Sequence, residues 1–480
     1  MKKIFRITAI ILILTLCAAY IPPMGNAEVL ASSTQQSKGA ASKKKKISLN
    51  KKKATIRAHQ TIMLKLKNAK KKKVKWSSSN KKVATVSKKG KVRALKKGKV
   101  TITAKYKGKK YKCKIKVKKA VKSVNGSTLL QSEYLLDKLY NKKNIIISAA
   151  SLNMALGMVA NGAVSNAKKD LEKYLGKPLD EYNQYSLKLM NRAAKDSMLT
   201  LANGVWYRDD YNIKPFFNDA VKKYYNAEVK KAPLDNSTVQ EINQWASNNT
   251  EGMIQEIIKE IPEETAVVLT NALLFKGEWT VPFEANYTRK ENFTKFDGKK
   301  VKVDMMHTDE YAYYENDYAV GFEKTYGKKE KYSFIAILPK IEGEFKLSNL
   351  ELESFLKSKT GKYKVNISMP KFTYDWEDNG ALTAVLKTSG IQSIFDWTAN
   401  PLGNMLQTSE SVYATDISQA CKIIVDEKGT KAAAVTSVSC KATSYIPEPS
   451  KTVSLDRPFG YIIMDNTTKD VLFMGKVVTP

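Results

Sequence analysis

The residues best suited to chemistry lie in one short segment, residues 427–444. Within it, positions of one parity carry small uncharged side chains, and the other parity includes lysines. The small residues are Thr430, Ala432, Ala434, Thr436, Val438, Cys440 and Ala442, and the lysines are Lys431 and Lys441. Successive side chains of a strand point to opposite faces, so one face of this segment can enter a core. Since an exposed loop needs no such alternation, the pattern predicts a segment that serves both as a loop and as a buried strand.

Histidine chemistry has little support elsewhere in the chain. Only His59 and His307 occur in 480 residues. A Ser-His-Asp triad would have to use one of them, and a metal site with several histidine ligands is excluded. We therefore expect a protein that is not an enzyme and that needs neither a metal nor a cofactor.

Charge is distributed very unevenly along the chain. Lys and Arg total 82 against 46 Asp and Glu, a formal net charge of +36. Residues 32–120 carry 34 Lys and Arg with no acid, whereas residues 121–480 carry 45 of each sign. The larger part is thus a neutral globular chain, and any affinity for polyanions must come from residues 32–120.

The N-terminus has the composition of a secretory signal peptide. Lys2, Lys3 and Arg6 precede an apolar stretch at residues 7–21, and Ala27 follows a proline pair as a small residue for cleavage. The apolar stretch is shorter than the roughly 20 residues that span a bilayer, which disfavours a retained membrane anchor. We predict a signal peptide at residues 1–27, a linker at residues 28–45, and a protein that is secreted, extracellular or associated with the cell wall.

Residues 46–120 are predicted to form a small all-β sandwich. Lysines alternate with apolar residues over residues 106–118, and turn-forming glycines, Gly90 and Gly98, separate short strands. The order of Trp76, Asn80 and both glycines resembles the bacterial immunoglobulin-like domains of group two. Such domains are usually spacers or adhesive stalks, and the resemblance brings no catalytic residues.

The cations of this module make it a candidate for binding polyanions. Residues 43–119 would attract an anionic wall polymer such as a teichoic acid through counterion release, with nucleic acid as the runner-up. A lysine-rich solvated surface without a specific ligand is an equally open interpretation, because charge alone specifies no partner.

Residues 121–480 have the pattern of one large mixed domain. Helical periods occur at residues 128–140 and 151–159, and strand-like runs occur at residues 266–275 and 332–338. Nine motifs in order resemble those of the serpin family, which implies an α+β fold with a large central sheet and a mobile reactive loop. The motifs include Ser148 with Ser151, Ala202 to Trp206, Asn271 to Trp279, Met369 to Phe372, Asp426 to Ala434, and Asp456 to Phe459.

The resemblance implies a suicide inhibitor of serine proteases. A protease would cleave the loop, be held as an acyl-enzyme, and be carried away and distorted when the loop inserts into the sheet. The implied hinge residues are Glu427, Gly429, Thr430, Ala432, Ala433 and Ala434. Gly429 would supply backbone freedom, and the alanines would let the strand slip between its neighbours.

The family places the attacked bond fourteen positions beyond the hinge glycine, which points to Thr443 and Ser444. That bond suits an elastase-like or subtilisin-like protease. Lys441 and Tyr445 are alternatives that would suit trypsin-like and chymotrypsin-like proteases. A papain-like cysteine protease is a further candidate target, and the inhibitor is expected to be a monomer.

The resemblance also implies two regions that control opening of the sheet. Trp279 matches the aromatic residue where the loop first enters (the breach), and Ser148, Ser151 and Asn271 match the polar cluster beneath the sheet (the shutter). Gln419 stands where many relatives have histidine, and we expect its amide to bond to Asn271. The alternative function is a non-inhibitory surface adhesin or binding module that uses the serpin fold as a platform.

Overall fold

The computed structural model describes residues 8–12, 47–57, 61–69, 74–95, 97–118, 126–378, 380–417, 419–430 and 449–480. Contacts divide the chain into two compact units, Tyr20–Ser123 and Val124–Pro480, with Met1–Ala19 grouped with the second. Across these described ranges, no helix combines the length and the apolar character that crossing a bilayer requires.

The first unit consists of short strands, as its alternating sequence predicts. Its strands are β2 Ser48–Leu49, β3 Lys53–Arg57, β4 Thr61–Met63, β5 Leu66–Lys67, β6 Lys75–Ser78, β7 Ala84–Val86, β8 Lys91–Ala94, β9 Gly98–Tyr106 and β10 Lys109–Lys118. They form a four-stranded sheet in the order β3-β10-β9-β6, a three-stranded sheet β4-β8-β7, and the pair β2-β5. Apolar residues of all three sheets share one core, which includes Leu49, Val92, Ile102 and Ile115.

The run from Tyr106 to Lys118 is not a single strand. Lys107 and Gly108 both adopt positive φ angles, 47° and 77°, and turn the chain so that β9 and β10 form a hairpin. The turn at Gly90 lies where the sequence predicts it, between β7 and β8.

Among its described residues, the second unit contains eight α-helices: α1 Thr128–Leu139, α2 Ala149–Gly162, α3 Ser165–Leu175, α4 Leu179–Ala193, α5 Pro215–Tyr225, α6 Asn236–Asn249, α7 Leu352–Lys357 and α8 Ala381–Lys387. Ser148 immediately precedes helix α2, and its hydroxyl accepts a hydrogen bond from the Ser151 N–H and caps the first turn. Every residue of α2 is buried, which makes it a central packing element.

Its strands are β11 Ile145–Ile147, β12 Leu199–Arg208, β13 Glu228–Ala232, β14 Thr265–Phe275, β15 Gly277–Glu278, β16 Arg289–Thr294, β17 Lys300–Glu310, β18 Tyr313–Glu315, β19 Ala319–Tyr326, β20 Tyr332–Pro339, β21 Lys364–Pro370, β22 Phe372–Glu377, β23 Val412–Ile417, β24 Ala420–Val425, β25 Gly429–Thr430, β26 Ser450–Ser454, β27 Phe459–Asp465 and β28 Val471–Val477. A further strand, β1 Thr8–Leu12, belongs to the same unit. The predicted helices and strands match α1, α2, β14 and β20, with α2 two residues longer at its start and three at its end.

The sheet that positions the site has the order β13-β12-β14-β1-β23, and a second sheet has the order β15-β25-β24-β22. They are continuous along the chain, since β15 follows β14 and β24 follows β23. Strand β1 runs parallel to both β14 and β23 and reaches Leu269 on β14. Beyond Leu269, no strand in the described part of the chain pairs with this edge of β14. The described residues of this unit also form two further sheets, β11-β28-β27-β20-β19-β18 and β16-β17-β21-β26.

Candidate functional site

The chain reverses direction between β24 and β25, at the start of the alternating segment. A carboxylate oxygen of Asp426 accepts hydrogen bonds from the backbone N–H groups of Lys428 (2.9 Å) and Gly429 (3.1 Å). The Asp426 N–H donates in turn to the Gly429 carbonyl at 3.0 Å. Aspartate side chains commonly stabilise turns in this way. The turn brings β25 back antiparallel to β24, with Thr430 opposite Val425.

Strand β25 lies between β24 and β15, and the fit is tight. Gly429 is opposite Glu278, and a Cβ atom at Gly429 would lie only 2.1 Å from the carbonyl oxygen of Gly277. Any larger residue would therefore push the two strands apart. The sequence interpretation gave Gly429 only a role in backbone freedom, and the structure adds this steric requirement.

Thr430 is the first residue of the alternating segment to enter the core. Its side chain is 3% exposed, and its hydroxyl lies 2.7 Å from the hydroxyl of Tyr326. A small cavity lies beside it, between β14 and β24, with Leu273, Phe275 and Ile423 among its lining residues. The strand thus begins with a buried small side chain and has apolar space next to it.

Trp279 fixes both ends of the turn. Its indole Nε1–H donates to the Asp426 carbonyl at 3.0 Å, and its backbone N–H donates to the Lys428 carbonyl at 2.8 Å. The indole also stacks on Tyr326, with ring centroids 4.4 Å apart. Because Tyr326 also contacts Thr430, movement of the hinge must disturb this whole group.

A buried ion pair supports this aromatic group. The Lys324 ammonium donates to Glu310 at 2.8 Å and to the Val281 carbonyl at 2.7 Å, and it lies 4.5 Å from the centre of the Phe283 ring. Burial lowers the pKa of Lys324, although Glu310 opposes that shift. The pair therefore holds a charge beneath Trp279 that the surrounding core would otherwise disfavour.

Glu427 anchors the turn electrostatically. Its carboxylate accepts hydrogen bonds from the Lys371 ammonium (2.9 Å) and the Thr288 hydroxyl (2.9 Å), and its carbonyl accepts from the Phe283 N–H (2.8 Å). Burial acts to raise the pKa of Glu427, but the bonds to Lys371 and Thr288 outweigh it and hold that pKa below its usual value. The bond to Glu427 likewise raises the pKa of Lys371.

The predicted shutter residues meet beneath the sheet. The Ser151 hydroxyl donates to the side-chain carbonyl of Asn271, and the Asn271 amide donates to Asn203 at 2.8 Å. The Ser148 hydroxyl donates to the Leu472 carbonyl at 2.7 Å. These bonds join α2 to β12, β14 and β28, so the cluster fixes the helix against the sheets.

The predicted hydrogen bond between Gln419 and Asn271 does not form, and that prediction is wrong. The Gln419 side chain instead accepts from the Ser148 N–H at 2.9 Å and donates to the Ser148 carbonyl at 2.9 Å. Both polar groups of the glutamine amide are used by one backbone residue, because the chain just before β24 passes the first turn of α2. The contact ties β24 to α2 through a group that does not titrate.

The proposed reactive bond at Thr443 and Ser444 lies outside the described residues, as do Lys441 and Tyr445. The hinge alanines Ala432, Ala433 and Ala434 fall in the same stretch, residues 431–448. Of the implied residues, the structure therefore brings together Glu427, Gly429, Thr430 and Trp279 just before residue 431. The shutter residues form a separate cluster between α2 and the sheet.

Sequence reasoning missed the partners of the hinge. Tyr326 contacts Thr430 across a separation of 104 positions, which no spacing rule could indicate. Lys371 lies within the family motif from Met369 to Phe372, so the motif located it but did not reveal its bond to Glu427.

Two family models match the chain. Residues 129–480 match the serpin (serine protease inhibitor) model, and residues 59–115 match the bacterial Ig-like domain model of group 2.

Similar proteins cover most of the second unit. An uncharacterized serpin-like protein of Thermococcus kodakarensis is 30% identical over 356 residues, which are 71% of this chain and 82% of that protein. Human neuroserpin is 28% identical over 70% of this chain and 86% of its own length. The native crystal structure of the thermophilic serpin tengpin superposes with a TM-score of 0.67 at 31% identity, covering 75% of this chain and 94% of that one. The chain therefore belongs to the serpin family, whose members are generally protease inhibitors rather than enzymes.

Proposed function

We propose that this protein is a secreted suicide inhibitor of serine proteases that acts by cleavage and insertion of its reactive loop. The observation that carries the proposal is strand β25, which lies between β15 and β24 with the Thr430 side chain inside the core. A loop used only for display gains nothing from beginning as a buried strand. The residues that follow Thr430 can instead enter the sheet by extending β25, which is already in place.

The sheet also has a position where those residues can insert as a strand. Strand β1 belongs to the predicted signal peptide, and cleavage after Ala27 removes it from between β14 and β23. Within the part of the chain that the structure describes, the facing edges of β14 and β23 are then unpaired, and unpaired edges readily accept another strand. In the sequence, Ala432 and Ala434 share the parity of Thr430, so on insertion they would present small side chains to the core.

The chemistry requires only the target's own nucleophile. The protease serine oxygen attacks the carbonyl carbon of Thr443, the Thr443–Ser444 peptide bond breaks, and the nitrogen of Ser444 leaves as an amine with the proton. Thr443 stays bound to the protease as an ester. Insertion adds backbone hydrogen bonds on both edges of the new strand and supplies the driving force that distorts the enzyme. The inhibitor is consumed and no cofactor takes part.

The loop sequence favours some targets over others. Thr443 suits the small or medium pocket of an elastase-like or subtilisin-like protease, while Lys441 or Tyr445 would suit trypsin-like or chymotrypsin-like ones. A cysteine protease forms an equivalent thioester and is a second target class.

The basic unit is proposed to retain the secreted inhibitor at the cell wall. Residues 32–120 contain no acid to oppose their cations, so an anionic wall polymer binds with release of its counterions. The inhibitor would then act where proteases reach the cell surface.

The test mixes residues 28–480 with subtilisin, elastase, trypsin and chymotrypsin, followed by denaturing gels and intact mass measurement. We expect a covalent band at the combined mass and a released fragment that begins at Ser444. The variant Thr430→Arg places a charge where the native side chain is buried, so cleavage should persist while the covalent band disappears. Ser450→Arg is the matched control, since it adds the same charge at an exposed position of β26 and should leave the band intact.

The same gel decides against the alternative. Cleavage of the wild-type loop by all four proteases without any covalent band would overturn inhibition and favour the adhesin or binding module. A covalent band with a fragment that begins after Lys441 or Tyr445 would keep the mechanism and correct the position of the reactive bond.

A further inference from the structure

We infer that the first unit binds a linear polyol phosphate polymer on one face of its four-stranded sheet. This inference rests on the wall attachment proposed above and names both the surface and the chemistry of the partner. The surface, called the lysine face here, consists of the outward residues of β3, β10, β9 and β6. Its cations are Lys53, Lys75, Lys99, Lys105, Lys110, Lys112, Lys114 and Lys116, and its hydroxyl residues are Thr55, Ser77, Thr101 and Thr103.

The strand register places lysine directly opposite lysine. Lys105 on β9 pairs with Lys75 on β6 and with Lys110 on β10. Lys114 on β10 is likewise opposite Lys53 on β3. Like charges in directly opposed positions destabilise a sheet, and this part of the sequence contains no acid that could relieve them. A polyanion bound on this face removes that repulsion, so the register itself favours a bound anionic chain.

The spacing suits a polymer with regularly repeated phosphates. Lysines occupy four successive outward positions of β10, which are about 6.7 Å apart along an extended strand. Hydroxyls lie beside two of them, since Thr103 is opposite Lys112 and Thr101 is opposite Lys114. Ammonium groups bind phosphate oxygens and the threonine hydroxyls can bond to polyol hydroxyls. A shallow depression at one end of the face is lined by Lys53, Lys99, Thr101, Lys114 and Lys116.

The position of the aromatic residues disfavours nucleic acid. Trp76 and Tyr111 alternate with lysines of the lysine face and pack against the core, and Tyr106 is 5% exposed. Among the side chains that the structure describes on the lysine face, none is aromatic. Unpaired bases therefore find no ring to stack on, which is how single strands are usually held.

The experiment measures binding of poly(glycerol phosphate) to residues 28–480 over a series of salt concentrations. The face variant replaces Lys105, Lys112, Lys114 and Lys116 with Gln. The control variant replaces Lys65, Lys81, Lys82 and Lys91 with Gln, which removes the same charge from exposed positions of the same unit outside the four-stranded sheet. We expect the face variant to bind at least about tenfold more weakly and to lower the slope of log K against log salt by about 3, since each lost phosphate contact contributes about 0.7. The control variant should change the slope by less than about 1.

Arginine at the same four face positions keeps the charge and should retain binding, which separates loss of the site from loss of folding. Equal weakening by the face and control variants would overturn the lysine face while leaving wall attachment in place. Tighter or equal binding of single-stranded DNA with the same number of phosphates would overturn the polyol phosphate assignment. Absence of binding by the wild type would overturn both the lysine face and wall attachment, whereas protease trapping is read separately on the gel.

Discussion

The two units of this protein use lysine in opposite ways. At the hinge, Lys324 is 1% exposed and bonded to Glu310, and Lys371 is bonded to Glu427. In the basic unit, exposed Lys105 lies between two other lysines across the strands, in a stretch of sequence without acids. A paired lysine holds a segment of its own chain in place, whereas a lysine surrounded by lysines presents its charge to another molecule. Four changes test this contrast, in order of expected effect.

Removing the buried ammonium of Lys324 should have the largest effect. Lys324→Met leaves Glu310 without its partner beneath Trp279, and we expect the free energy of unfolding to fall by about 3 kcal/mol. Urea unfolding measures the change. The double variant Lys324→Met with Glu310→Gln should recover part of the loss, since no charge is left unpaired. Equal losses in the single and double variants would show that the contribution of Lys324 is packing rather than pairing.

Lys476 is a buried lysine whose bonded partner is a carbonyl rather than a carboxylate. Its ammonium donates to the Phe345 carbonyl at 2.7 Å and lies 3.5 Å from the centre of the Tyr140 ring. Burial lowers its pKa to about 8, against 10.5 for an exposed lysine. Between these values the unfolded chain binds a proton that the folded protein has lost, so stability rises with pH. We expect a gain of about 1 to 2 kcal/mol from about pH 8 to about pH 9.5 in urea unfolding. Lys476→Met should show a smaller gain, and an identical pH profile would contradict the assignment.

The ion pair between Glu427 and Lys371 should lose its contribution to stability in acid. The pKa of Glu427 lies below its usual 4.5, so the pair stabilises the fold above that value and loses its contribution as the pH falls through the lower, folded-state pKa. The expected contribution is about 1 kcal/mol, because both groups are partly exposed. Thermal unfolding at a series of pH values should show a steeper acid loss in the wild type than in Glu427→Gln. Parallel curves would mean that the bond does not stabilise the hinge.

The smallest effect is expected in the basic unit and has the opposite sign. Lys105→Gln removes the central charge of a three-lysine row and should stabilise the unit by about 0.2 to 1 kcal/mol at low salt. Lys112→Gln is the matched control, because Lys112 is opposite Thr103. The difference between the two variants in thermal unfolding should vanish at high salt, where exposed charges are screened. A difference that persists at high salt would point to packing instead of charge.

Sequence reasoning located the hinge but not the contacts that hold it. Alternation assigned Thr430 to the buried parity, and the motif order placed Trp279 and the shutter serines near the sheet. Gln419 shows a contact that the sequence does not decide. Its amide can satisfy either Asn271 or the backbone of Ser148, and only the packing of β24 against α2 selects Ser148.

The sequence by itself determined the segregation of charge, the family and the parity of the hinge strand, since these follow from composition, motif order and a two-residue period. The tertiary structure alone decided which groups meet: Tyr326 with Thr430, Lys371 with Glu427, and Lys75 with Lys105. The physical reason is that side-chain pairing depends on strand register and on packing between distant segments. A chain with 82 Lys and Arg and 46 acids allows many pairings, and the fold selects among them.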